Sequence, residues 1–204
     1  MKTFAYRMAL AALMTANGVG VLAQGFVSGS NGSMGELIVG PGGQNPTVLD
    51  VPPDGIFHFT TVRVDINWIL SFRRNALNTP VVLLATGDVV INGIVDVRGS
   101  VASATAGGAG GPGGFDGGPP NGAGKGPGGG LPGGTGNTPD GAGVGAYAPI
   151  NGSTRLSLND GAPYGSALLV PLVGGSGGGG SGSGGGGGGG GAILIASSTR
   201  IFIG

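Results

Sequence analysis

The strand-turn-strand pattern of Val82 to Gly93 recurs from Ile193 to Gly204. Aligned without a gap, the two copies stand 111 residues apart. Each is an apolar strand, a small polar turn, a second apolar strand and a closing Gly. A strand-turn-strand unit cannot bury its apolar face alone, and repetition supplies the like surface it needs. The pattern predicts stacked coils of a β-solenoid, with Leu83 and Leu194 at equivalent inward positions and Ala85 and Ala196 likewise. Asn92-Gly93 between two strands is also a hairpin signal. The solenoid is the preferred reading of Asp88 to Val97, because a hairpin needs no second copy.

Between the copies lies a segment of extreme composition. Residues 107–191 hold 38 of the chain's 52 glycines. From Gly174 to Gly191 there is only Gly and Ser. Ordering a residue costs about 1–2 kcal/mol of backbone entropy, with Gly at the upper end, and here no side chains offset it. Two readings remain. The run is a flexible linker, or it is ordered by backbone hydrogen bonds between extended segments lying side by side. Glycine without a strict three-residue period excludes collagen. Charged residues are only 9 % of the chain, which leaves no electrostatic footprint for nucleic acid or an anionic membrane.

The N-terminus has the form of a secretory signal peptide. Lys2 and Arg7 are basic, Met8 to Leu22 is mostly small and apolar, and Val21-Leu22-Ala23 offers a cut before Gln24. Gly18 and Gly20 break the run too soon for a membrane span. Loss of Lys2 and Arg7 takes the formal charge from zero to two negative. With no cysteine, an exported fold must rest on its ladders and core alone.

The expected organisation is a signal peptide over 1–23, a Gly-rich lead-in over 24–46, solenoid coils over 47–106, the glycine-rich insertion over 107–191, and returning strands over 192–204. Within the coils, strands are expected at Val48 to Val51, across the alternating Ile56 to Val64 and on to Phe72, and at Val81 to Thr86, Val89 to Ile91 and Ile94 to Val97. Pro52-Pro53-Asp54-Gly55 is a turn. Thr154 to Leu158 and Ala167 to Val173 are candidate short strands inside the insertion.

Several of these pieces resemble a set of glycine-rich secreted bacterial proteins of uncharacterised role. They are Val51 to Phe57, Phe72 to Pro80, Leu84 to Gly93, Gly113 to Gly118, and the Gly run entering Ala192 to Ala196. The resemblance implies a right-handed parallel β-helix with a glycine-rich insertion and a surface or extracellular role. It supplies no catalytic residue. It also implies a longer protein, since relatives continue past the second copy with a strand like Ile94 to Val97. A last coil left uncovered at Ile201 to Ile203 would self-associate.

No cluster specifies a reaction, and the expected catalytic, cofactor and metal residues are none. His58 is the only histidine, and without Cys or a second His there is no zinc set. Gly180 to Gly184 matches a nucleophile elbow only through low complexity. Asp88, Asp96, Asp116, Asp140 and Asp160 are potential sugar or calcium carboxylates, but no spacing pairs them, and Asp beside Gly is ordinary turn chemistry. Arg73-Arg74-Asn75 has the chemistry to clamp a carboxylate or a sulfated sugar, or to cap a strand end with Asn75 and Asn78 in turns. Trp68, the only Trp, is either a sugar-stacking platform or part of the core. The leading expectation is a non-enzymatic exported structural or adhesive protein. The alternatives are a carbohydrate-active or glycan-binding β-helix protein and a binder of ice or mineral surfaces. The expected partners are a surface glycan or a second copy at the C-terminal edge, with no nucleic acid and no transmembrane anchor.

Overall fold

The computed structural model describes residues 25–133, 142–147 and 160–204. The signal sequence, Asp140 and the Thr154 to Leu158 candidate strand lie outside them. The described residues are all-β, with ten short strands and no helix. In chain order they are β1 (Leu37–Val39), β2 (Thr47–Asp50), β3 (Ile56–Phe59), β4 (Val62–Val64), β5 (Ile69–Arg73), β6 (Val81–Ala85), β7 (Val89–Ile91), β8 (Ile94–Asp96), β9 (Ile193–Ser197) and β10 (Ile201–Ile203).

Every third strand joins the same sheet. The three sheets are β1-β4-β7-β10, β2-β5-β8 and β3-β6-β9, and every strand pairing is parallel. Parallel neighbours need a long crossover, usually helical. Here the crossover consists of the two intervening strands, with the segment between β8 and β9 added for β6–β9 and β7–β10. Inward positions alternate along each strand. Val39, Val62, Val64, Val89 and Ile91 from one sheet meet Leu70 and Phe72 from the second and Phe57, Phe59, Val81, Leu83 and Ala85 from the third in one buried cluster. Phe57 anchors it, with ring centroids 6.0 Å from Phe59 and 5.7 Å from Phe72. Burying each large aliphatic or Phe contributes about 1.5–3 kcal/mol.

The corners account for the breaks between strands. Ile56 to Val64, expected as one strand, is split at Thr60-Thr61 into β3 and β4, which belong to different sheets. Thr60 donates its amide to Gly35 and Thr61 accepts from Leu37, so this corner is held by the chain before it. Asn92-Gly93 is a corner between sheets rather than a hairpin, since β7 and β8 do not pair. A Cβ on Gly93 would overlap the Asp65 and Trp68 carbonyls of the preceding corner.

The second copy is seated one residue away from the ungapped alignment. Val81 pairs with Ile193, Leu83 with Ile195 and Ala85 with Ser197, an offset of 112. In the second pair of strands Val89 likewise meets Ile201. A one-residue slip exchanges the two faces of a strand. Leu83 is 1 % exposed but Leu194 is 44 % exposed, and Ala196 lies opposite the outward Leu84. The expected equivalence of Leu83 with Leu194, and of Ala85 with Ala196, is therefore corrected.

The segment expected as a lead-in already contains β1. Its serines also close one corner of the third sheet. The Ser28 hydroxyl donates to the Ala85 carbonyl at 2.7 Å, and the Ser30 hydroxyl to the Phe59 carbonyl at 2.8 Å. Ala167 to Val173 forms no strand. Leu169 donates back to Ser166 in a turn at 3.0 Å, with Leu168 and Val170 exposed.

Candidate functional site

The glycine-rich segments form a hydrogen-bonded body. Phe115, Gly118 and Asn121 donate to Gly175, Gly178 and Ser181 at 2.9–3.0 Å, a step of three on both sides. Gly130 and Gly133 donate to Gly177 and Gly180, again in steps of three. Gly177 and Gly180 themselves donate to Lys125 and Gly122, while Ser176 and Gly179 donate to Ala146 and Gly143. Residues 175–181 thus address different neighbours with successive residues. That is the geometry of an extended helix with three residues per turn and no internal bonds, whose polar groups must be satisfied by adjacent chains. Of the two readings of the run, the ordered one describes it.

Glycine is required here for closeness. A Cβ at Gly177 would overlap the Asp116 carbonyl, one at Gly180 the Pro119 carbonyl, and one at Gly189 the Gly175 carbonyl. Their backbone angles are outside the left-handed region. Gly187 and Gly190 differ, because a Cβ there meets nothing within 4 Å and both are exposed.

Arg74 and Asn78 join this body to the strands. The Arg74 guanidinium donates to Asp116 Oδ1 at 2.5 Å, Lys125 Nζ lies 3.0 Å from Oδ2, and the Gly110 amide donates to Oδ1 at 3.0 Å. The Arg74 hydrogen bond, with help from Gly110 and Lys125, outweighs partial burial and holds the Asp116 carboxyl far below the usual carboxylate range. Asn78 donates to the Gly114 carbonyl at 2.6 Å and accepts from the Gly113 amide at 3.1 Å. Asn75 ties Pro52 to Thr79 within the turn. The carboxylate that Arg74 clamps is the chain's own. A cleft of about 310 Å³ opens beside this cluster, lined in part by Arg74, Asn78, Phe115 and Lys125.

The other flagged residues are dispersed. Arg73 pairs with Asp50 on the outer face of the β2-β5 pair. His58 accepts from the Asn31 amide at its Nδ1, 3.3 Å away. Asp88 binds the Thr199 hydroxyl at 2.6 Å and Arg200 at 2.7 Å, and these contacts lower its pKa, the Thr199 bond most. Asp96 is held low by Arg98, which grips it with two nitrogens. Asp160 accepts from the Val144 amide at 3.0 Å. Trp68 lies at the corner between β4 and β5, partly buried against the core. Every described arginine and the described lysine is ion-paired with an aspartate. Among the described residues no group of three or more His, Cys, Asp and Glu is placed to hold a metal ion. Sequence reasoning missed the Asp116 pairing, which spans 42 residues and has no local signal.

Parallel strands stacked in three sheets, bound to a glycine-built body, define the architectural class. Comparison with protein families, curated proteins and solved structures finds no match for the chain.

Proposed function

We propose that the chain is a non-enzymatic exported structural or adhesive protein. In this reading the three sheets wind as a short right-handed parallel β-helix, and the glycine-rich body is a rigid appendage carried on it. The recurrence of every third strand in one sheet supports the winding. The observation that carries the function is where the polar chemistry is used. The arginines, the lysine and most aspartates of the described residues are committed to internal pairs that fix corners and the junction. Long-range backbone hydrogen bonds order the Gly run without a side-chain core, which suits a load-bearing or display element. The basic and apolar residues before Gln24 support export. Among the described residues no helix is long and apolar enough to cross a membrane.

The test is to express the full chain, locate it by fractionation, and assay it for adhesion to cells and matrix and for turnover of polysaccharides and esters. Recovery outside the cell, adhesion, and no turnover are expected. Turnover abolished by a single Asp→Asn substitution, with the fold intact, would overturn the reading.

A further inference from the structure

A cleft among the strand corners surrounds Trp68. It has a volume of about 480 Å³ and is lined by Pro41, Asp65, Ile66, Trp68, Asn92 and Gly204. Successive corners stack to make it. Asp65 donates its amide to the Val39 carbonyl at 2.8 Å, and Asn92 donates to Val64 at 2.8 Å. Asn45 pins the middle corner, donating to the Asn67 carbonyl at 3.0 Å and accepting from the Ile69 amide at 3.1 Å. The walls are therefore fixed by backbone pairing before any ligand arrives.

The lining combines two kinds of group. Trp68, Pro41 and the 70 % exposed Ile66 provide apolar surface. The Trp68 indole N–H and the Asn92 side-chain amide have no hydrogen-bond partner among the described residues, and neither is a sealed, unsatisfied buried atom. Asp65 adds a carboxylate whose charge is balanced by Arg63, with nitrogen-oxygen distances of 3.1 Å. The lining residues thus carry a donor on the indole, an amide that both donates and accepts, and a carboxylate acceptor. An apolar cleft with a few converging polar groups is the usual form of a small-ligand site. A fatty chain would leave those polar groups unpaired, and a phosphate would face the Asp65 carboxylate. A pyranose satisfies both sets: its C–H face lies on apolar surface while its hydroxyls pair with the amide, the carboxylate and the indole N–H.

We propose that this cleft binds a neutral saccharide. The proposal deepens the adhesive reading by naming its ligand class, and rests on that reading for its biological setting. Trp68 is the only tryptophan, so emission excited selectively from tryptophan rather than from the three tyrosines reports on this cleft. The full chain would be titrated with neutral oligosaccharides built from glucose, mannose, galactose or N-acetylglucosamine, and separately with nucleotides. A saturable emission change with at least one oligosaccharide is expected. Asn92→Ala and Asp65→Asn should each weaken it about ten-fold, the loss of a hydrogen bond or more, without moving the thermal midpoint of the Asn92 variant. Three results would overturn the proposal: no response to any oligosaccharide, unchanged binding in both variants, or a response to nucleotides only. Adhesion of the same protein to cells and matrix is scored independently. Adhesion by a chain that binds no saccharide removes this site and leaves the adhesive reading standing, whereas absence of adhesion removes that reading.

Discussion

A single added methyl group distinguishes a packed glycine body from a loose one. At Gly177 the methyl of Ala would enter the space of the Asp116 carbonyl, a backbone atom that cannot rotate away. Relief requires the 174–181 segment to draw back from the 115–121 segment, stretching the bonds from Phe115, Gly118 and Asn121. Each such bond contributes about 1 kcal/mol net, and overpacking costs about 1–3 kcal/mol. The reduced freedom of an unfolded Ala returns only about 0.4–1 kcal/mol. Gly177→Ala should therefore cost about 2–4 kcal/mol. At Gly187 the methyl meets nothing within 4 Å, so Gly187→Ala retains only the favourable contribution of about 0.4–1 kcal/mol. The two variants differ by about 2–5 kcal/mol, which for a chain of this length separates their thermal midpoints by roughly 5–20 °C. Calorimetry or thermal circular dichroism of both variants beside the wild type measures this. Midpoints that coincide would refute the packed arrangement, because a linker is indifferent to which glycine is changed.

The strand register makes a comparable contrast. Leu83→Asp should be severely destabilising by burying an unpaired charge, while Leu194→Asp, at a 44 % exposed position, should cost under about 1 kcal/mol in denaturant unfolding. Asp116→Asn should cost about 1.5–3 kcal/mol at neutral pH, the value of hydrogen bonds to a charged group. Because the folded pKa of Asp116 is lowered, its stabilisation is complete above the unfolded value of about 3.9 and is lost as pH falls through the folded one; wild type and variant should converge only in that acid range, as unfolding at stepped pH would show. Intact mass of exported protein should match a chain starting at Gln24, and a retained Met1 to Ala23 would contradict export by cleavage.

The strands were legible in the Val and Ile runs, and their parallel stacking was legible in the repeat. Their phase was not. Val81 to Ala85 is apolar at every position, so nothing in it marks which residues face inward. The turn after it permits alignment at 111 or 112, and the pairing of Val81 with Ile193 and of Val89 with Ile201 takes the second. The Thr60-Thr61 corner was hidden because it has neither Gly nor Pro and is shaped by the Gly35 to Leu37 backbone. In the Gly run, identical residues carry no pattern that could say which neighbour each one meets. The Arg73 to Pro80 segment was legible as polar and specific, but its partner lies in a distant glycine loop.

The three-residue screw of the glycine segments sets a rule for how their length can vary. Adding or removing three residues within the 174–191 run rotates the following chain through a full turn, and each later residue still faces the same neighbouring segment, shifted by one turn along it. Adding or removing one or two rotates it by a third or two thirds of a turn. Gly177 would then point where Gly178 or Gly179 had been, and the open row through Gly187 and Gly190 would be turned into the interior. Length variants in steps of three should therefore retain the body, and intermediate lengths should unfasten it from the Asp116 junction outward.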